Sequence, residues 1–224
     1  MKTLTIAFIF LITLNLSAQN PLEKNVGNFT EVKVYDLIEV NLIKSNENKV
    51  VITGDDVEDV GIVNKNGILK VRMKFDKIFN GTKTFVAVHY TKLSIIDGNE
   101  GAFISSNELI EQDYIELKAQ EGARLKIGLD VNKLDVKAVS GGIVETRGKA
   151  NSQSININTG GIYEGKAFET QTTNVDIKAG GEADVNASGT VNAKVRAGGD
   201  IDIYGNPQTV NKDKALGGRI RMMD

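Results

Sequence analysis

Few residues in this chain carry the usual equipment of a catalyst. His89 is the only histidine, set in Val86-Ala-Val-His-Tyr90, and there is no cysteine. A Ser/His/Asp triad would have to use His89, but no Gly-x-Ser-x-Gly elbow accompanies it. His89 therefore reads as a strand histidine with a local hydrogen bond, and the missing thiols speak against a zinc site. Carboxylates are the remaining option. Asp176, Asp184, Asp200 and Asp202 fall close together in the repeat pattern described below. Two carboxylates roughly 5–9.5 Å apart suit glycoside hydrolysis, so a polysaccharide lyase or hydrolase working from such a corner is the alternative reading. Against it, the four acids occupy outward or turn positions, where Asp is simply a good turn former.

Binding chemistry is better represented. Lys118, Lys137, Lys178 and Arg196 recur on the polar side of successive apolar/polar phrases. Stacked, they would make a basic strip for an acidic glycan or polymer. The bland alternative is a solvated face with cross-coil ion pairs of about 0–1 kcal/mol each. The glycine pairs 141–142, 160–161, 180–181 and 198–199 are not phosphate loops, because neither a helix nor Gly-Lys-Ser/Thr follows them. Nor do they match the Ca²⁺-binding nonapeptide, whose period is different. No cofactor is expected.

The elements that would position these side chains are repeats. Ile155-Asn-Ile-Asn-Thr-Gly-Gly161, Val175-Asp-Ile-Lys-Ala-Gly-Gly181 and Ala193-Lys-Val-Arg-Ala-Gly-Gly199 share one grammar. Looser copies end at Gly101, Gly122 and Gly142, so the intervals between the six glycines are 21, 20, 19, 20 and 18 residues. Such a period marks a repeat architecture. Alternate residues of a strand face opposite sides, so Ile155/Ile157, Val175/Ile177 and Ala193/Val195 are expected to stack inward, with Glu116/Lys118, Asp135/Lys137, Asn156/Asn158, Asp176/Lys178 and Lys194/Arg196 as two outward ladders. The glycines Gly101, Gly122, Gly142, Gly161, Gly181 and Gly199 would turn the corners. Six coils at about 4.8 Å each give a rod on the order of 25–30 Å. The fold class is all-β: a β-solenoid, parallel β-helix-like, with Gly-punctuated coils of about 20 residues.

Upstream, Val32/Val34 and Ile38/Val40/Leu42 alternate with polar residues as half-buried strands do. Asn64-Lys-Asn-Gly67 is a hairpin-type turn. Residues 57–63 fit a helical turn or a strand, and 75–83 read as a loop. Lys2 followed by an apolar run from Leu4 to Leu16 and Ser17-Ala18-Gln19 has the layout of a secretory signal peptide over residues 1–18. The alternative is a retained N-terminal anchor, although the run is short for a membrane span. Residues 19–28 read as a loose polar leader, 29–92 as an N-terminal β region, and 93–224 as the solenoid repeats, continuous with that region as one domain. Without Lys2 the chain has 26 basic against 29 acidic residues, too balanced for a nucleic-acid binder.

The order of several motifs carries a family resemblance. Phe29-x-x-Val-x-Val34, Ile38-x-Val-x-Leu42, Val50-Val-Ile-x-Gly-Asp55 and Asn66-Gly-Ile-Leu-x-Val71 are followed by Gly-punctuated repeats such as Ala179-Gly-Gly-Glu-Ala-Asp-Val185. Over Phe29 to Ile203 the chain resembles the DUF2807 family, the auto-transporter adhesin "head GIN" domain of Bacteroidota. The resemblance implies a secreted or envelope β-helical protein with an adhesive role and no catalytic residues to carry over. The expected function is a non-enzymatic exported module, in the periplasm, at the outer surface or secreted, whose partner is a surface glycan or an envelope or host protein. Homo-oligomerisation stays open, because solenoid edges must be capped or paired.

Overall fold

The computed structural model describes residues 21–224; the expected signal peptide, and residues 19 and 20 of the leader, lie outside the described residues. Among the described residues sixteen strands form one continuous sheet that coils on itself, and 69% of those residues are strand. In chain order they are β1 Leu22–Asn25, β2 Glu31–Val34, β3 Glu39–Lys44, β4 Lys49–Gly54, β5 Val60–Lys65, β6 Ile68–Met73, β7 Thr84–Tyr90, β8 Ile95–Gly98, β9 Phe103–Ala119, β10 Arg124–Val139, β11 Ile143–Asn158, β12 Ile162–Ile177, β13 Glu182–Ala197, β14 Asp200–Tyr204, β15 Thr209–Leu216 and β16 Arg219–Met222. The architecture is a β-solenoid of about 7 turns with coils of about 19 residues.

Each long strand is bent near its middle and serves two faces. β3 takes the first residues of β9, Phe103 to Ser106, whereas β8 takes its last, Glu116 to Ala119. From β9 onward every coil lies parallel to the one before it. Inward residues stack in columns: Leu117, Val136, Ile155, Val175 and Ala193 in one, Ala119, Ala138, Ile157, Ile177 and Val195 in the next. All ten are buried. Each Val or Ile of such a column contributes roughly 1.5–3 kcal/mol, which explains how the fold holds together with no helix longer than one turn among the described residues.

The corners divide the work of the glycine pair between its two members. Ser140 and Gly141 both have positive φ, 50° and 75°, and the Gly142 N–H donates to the Val139 carbonyl at 2.9 Å, which is a type I′ turn. Gly142 itself needs no positive φ. A Cβ there would lie 2.1 Å from the Ala119 carbonyl oxygen one coil away, so the residue is small because two backbones nearly touch. Gly161 repeats this against Ala138 at 2.2 Å. Gly101 and Gly122, by contrast, occupy the position of Gly141, with Ala102 and Ala123 in the close-approach position. Four of the six expected corner glycines thus belong to two structural roles, one residue apart. Gly181 and Gly199 combine both, with φ of 121° and 108° and a Cβ that would lie 2.5 Å from the Gly161 and 2.9 Å from the Gly181 carbonyl oxygen, respectively.

The N-terminal region joins the same stack out of sequence order. The β2–β3 coil is flanked by β8 and β9 on one side and by β6 and β7 on the other. Its outer end is closed by antiparallel strands, β5 on β6 and β4 on β7, with β1 on β4. Residues 22–25 of the expected loose leader are therefore a strand, because the edge of β4 offers them backbone partners. Residues 57–65 are both of the alternatives in turn, a 3₁₀ turn at Val57–Asp59 and then β5.

One stretch of the core is polar. The Tyr163 hydroxyl donates to Gln153 Oε1 at 2.7 Å and contacts Thr146 Oγ1 at 2.8 Å; Gln153 Nε2 donates to Thr173 Oγ1 at 2.9 Å, and Thr173 meets Thr170 at 2.8 Å. All five side chains are buried, and burial drives the Tyr163 phenol far above its ordinary pKa. Each group has its partner inside, so the chain of bonds pins the register of β11 on β12. Tyr163→Phe should cost about 1–3 kcal/mol by stranding Gln153. In a urea-denaturation cycle with Gln153→Leu, the double variant should lose clearly less than the sum of the singles. Additive losses would mean that no network exists.

Near the N-terminal end, the buried Asp36 carboxylate accepts N–H bonds from Met73 at 3.0 Å and Phe79 at 3.2 Å. Glu100, in the turn beside it, has one carboxyl oxygen buried without a partner among the described residues. Burial raises the Glu100 pKa, and the neighbouring Asp36 charge raises it further. A carboxyl whose folded pKa exceeds its unfolded value binds more protons when folded, so its contribution to stability falls as pH rises from the ordinary Glu range through the folded value. Glu100→Gln is expected to flatten that part of the stability–pH curve and to raise the melting temperature at neutral pH. An unchanged curve would show that Glu100 does not titrate there.

Candidate functional site

The outward columns set the chemistry of each face. On the face built from the second halves of the strands, Lys118 pairs in register with Lys137, and that column continues through Asn156, Asp176, Lys194 and Asp213. The neighbouring column runs Glu116, Asp135, Ser154, Asn174, Asn192 and Asn211, with amide-to-amide bonds of 2.8 Å from Asn192 to Asn174 and from Asn211 to Asn192. Lys178 and Arg196 stand two residues further along their strands than Asp176 and Lys194, in the next outward column. The four expected strip cations are thus split two and two between adjacent columns. The reason is a slip of two residues: Ile155 lies beside Val136, not beside Leu134. A slip of two leaves every side chain on its own face, so apolar alternation alone does not reveal it.

The cations also differ in what already holds them. Lys118 is bound to Glu116 at 3.1 Å, and Arg196 grips Asp176 through Nε at 3.2 Å and Nη2 at 3.0 Å. Lys137 and Lys178 are exposed and have no ion-pair partner among the described residues. They flank a trough of about 650 Å³ whose lining includes Ser154, Asn156, Asn158 and Val139. The trough exists because β11 contributes the short Ser154, Asn156 and Asn158 to columns where β10 carries Asp135, Lys137 and Val139. Its other rim is Lys133 with Tyr114. The Lys133 ammonium lies 5.4 Å from the Tyr114 ring centre, and the Tyr114 hydroxyl donates to Asp135 at 3.0 Å. Burial and the Asp135 hydrogen bond push the Tyr114 phenol up to about 12, so it remains a donor at any ordinary pH.

The carboxylates do not assemble as one corner. Asp184 and Asp202 are register partners on the opposite face, in a column that runs Lys126, Glu145, Glu164, Asp184, Asp202 and Arg221. Asp200 lies two residues before Asp202 on β14, while Asp176 belongs to the trough face. Asp202 is held by Arg221 in two bonds of 2.7 Å, Asp200 is doubly bound by Arg219, and that guanidinium lowers the Asp200 pKa. Asp184 alone is left without an ion pair among the described residues, and its pKa is raised by burial and then by the charges of Asp202 and Glu164. His89 is on β7, opposite Ile43 and Lys49. Six strand spacings separate β7 from β13, roughly 29 Å at 4.8 Å each, so His89 and these acids do not form a relay. Among the described residues no three His, Cys, Asp or Glu are grouped to hold a metal ion, and no helix is long and apolar enough to cross a membrane.

Comparison with known proteins adds a family and a fold. A family model described as "Putative auto-transporter adhesin, head GIN domain" matches residues 28–207. The crystal structure of a putative adhesin from Bacteroides fragilis superposes with a TM-score of 0.83 at 18% identity, covering 91% of this chain and 96% of that one. A putative adhesin from Parabacteroides merdae gives 0.73 at 17% identity, with coverages of 92% and 96%. A protein from Parabacteroides distasonis titled a putative lipid binding protein gives 0.69 at 15% identity, with coverages of 90% and 96%. At these identities the likeness is one of fold. No curated protein matches the chain.

Proposed function

The chain belongs to the DUF2807 adhesin family, and from that premise we propose that it is an exported, non-enzymatic interaction module that holds an acidic surface glycan in the trough between Lys137 and Lys178. The observation that carries the proposal is the pair of unpartnered ammonium groups on a groove whose lining includes Asn156 and Asn158. Amides offer both donors and acceptors to sugar hydroxyls, and an unpaired lysine makes a charge-assisted bond to a carboxylate or sulfate. The strand backbone behind them is rigid, so little ordering is needed on binding. Export is supported by the signal-like N-terminus and the adhesin family, and the non-enzymatic reading by the arginine pairs on Asp200 and Asp202.

The test is an array of host and bacterial glycans probed with the purified protein, with sugar release followed in the same wells. Saturable binding of acidic glycans without release is expected. Lys137→Ala/Lys178→Ala should weaken it at least tenfold, while Lys118→Ala changes it less than threefold, because Lys118 is already paired. Release of sugar fragments would overturn the proposal and direct attention to Asp184. Binding that survives the double substitution would place the contact elsewhere.

A further inference from the structure

A second depression of about 670 Å³ lies on the other side of the strand bend, and its chemistry is the reverse of the trough's. It is lined by a column of polar side chains: Asn132 Nδ2 donates to Asp113 at 3.1 Å and Asn151 Nδ2 to Asn132 at 2.6 Å, with Gln171 next in register. Its one lysine, Lys149, is bound to Asp130 at 3.3 Å, while Asp113 and Glu169 add negative charge. Asn132 and Asn151 each spend one amide N–H along the column and keep the other, while the Thr170 and Ser188 hydroxyls already donate to the Asn186 and Thr170 carbonyls, so the lining offers amide groups and carboxylate acceptors. Such a lining suits a neutral, hydroxyl- or amide-bearing sugar and repels an anionic one.

The two depressions are neighbours. On β10 their linings meet at Asn132 and Lys133. On the next two coils the residues at that bend are Ser152 and Thr172, in register with Lys133 and each other. Both are short and half-buried, so neither projects a long side chain between the cleft and the trough. From Asn132 to Lys137 or Val139 the path is five to seven residues along the strand, about 16–23 Å at 3.3 Å per residue.

We infer that the ligand is a heteropolysaccharide in which neutral and carboxylate-bearing sugars neighbour one another, lying across the bend with a neutral sugar in the Asn132–Asn151 cleft and an anionic one between Lys137 and Lys178. This rests on the glycan reading above and adds the sugar order. The experiment is calorimetric titration of the protein with three hexasaccharides: one alternating N-acetylglucosamine and glucuronate, one of galacturonate alone, and one of neutral N-acetylglucosamine alone. The alternating chain is expected to bind at least tenfold more tightly than either homopolymer. Asn151→Asp, which adds a charge to the exposed amide column, should cut that affinity at least tenfold and change galacturonate binding less than threefold. Equal affinity for the galacturonate chain, or indifference to Asn151→Asp, overturns the inference and leaves the trough reading standing. Tightest binding of the neutral chain, or binding of none of the three, overturns both.

Discussion

Gly161→Val is expected to destabilise the protein by about 3 kcal/mol or more, which is the range of severe overpacking. The β-carbon of the new residue would begin 2.2 Å from the Ala138 carbonyl oxygen and 2.5 Å from its carbon. Both are backbone atoms of the preceding coil, so no side chain can swing away, and relief requires the two coils to separate. The neighbouring glycine provides the control. Gly160 has φ 73°, and a β-carbon there meets nothing within 4 Å, so Gly160→Asn should cost only about 1 kcal/mol, the price of a left-handed conformation that Asn tolerates. Urea denaturation of the two variants separates crowding from backbone conformation. Similar losses at both positions would refute the division of roles within the pair.

The second large effect concerns assembly. In the last coil, Lys212 and Lys214 take the inward positions that Ala193 and Val195 fill on the coil before. Their ammonium groups reach across the open end to the carbonyl oxygens of Ile220 at 3.1 Å and Gly218 at 3.2 Å. The aliphatic stems cover the end of the apolar stack while the charges sit where a further coil would have to dock. Inward-pointing charge is a known way to keep a sheet edge from pairing. Lys212→Val/Lys214→Val removes that obstacle and adds side chains worth roughly 1.5–3 kcal/mol each when buried. The double variant is expected to form concentration-dependent, higher-mass species in sedimentation velocity under conditions where the parent protein forms none. If both proteins sediment alike across the concentration range, the lysines do not guard the end.

Much of this architecture was legible because a strand needs only period-two alternation and a solenoid only a fixed interval. Val175, Ile177, Ala193 and Val195 point inward as their spacing demands. Asn66 and Gly67 make the expected hairpin turn, with φ of 54° and 76°. Gly128, Gly148, Gly165 and Gly189 follow at uneven intervals of 20, 17 and 24 residues and occupy different register positions, so they gave no comparable signal for a second corner. At Gly148 a β-carbon would lie 2.0 Å from the Leu129 carbonyl oxygen. The buried network around Gln153 and Tyr163 had no mark either, because a polar residue at an inward position reads from sequence as a break in the pattern.

Local chemistry in the chain alone was enough to determine an all-β, coiled architecture, its coil length and the inward apolar residues of its most regular repeats. Alternation and turn preference act within a few residues, and a one-dimensional repeat carries them from coil to coil. Only the tertiary structure decided which outward residues are neighbours. A two-residue slip between coils leaves all faces unchanged yet moves Lys178 away from Lys137's column, and it takes the actual hydrogen-bond register to see it. The same holds for charge. Lys118 and Arg196 look identical to Lys137 and Lys178 in the sequence, but their carboxylate partners lie in the same strand for one and a coil away for the other. Availability for a ligand is a property of those pairings, which exist only once the coils are stacked.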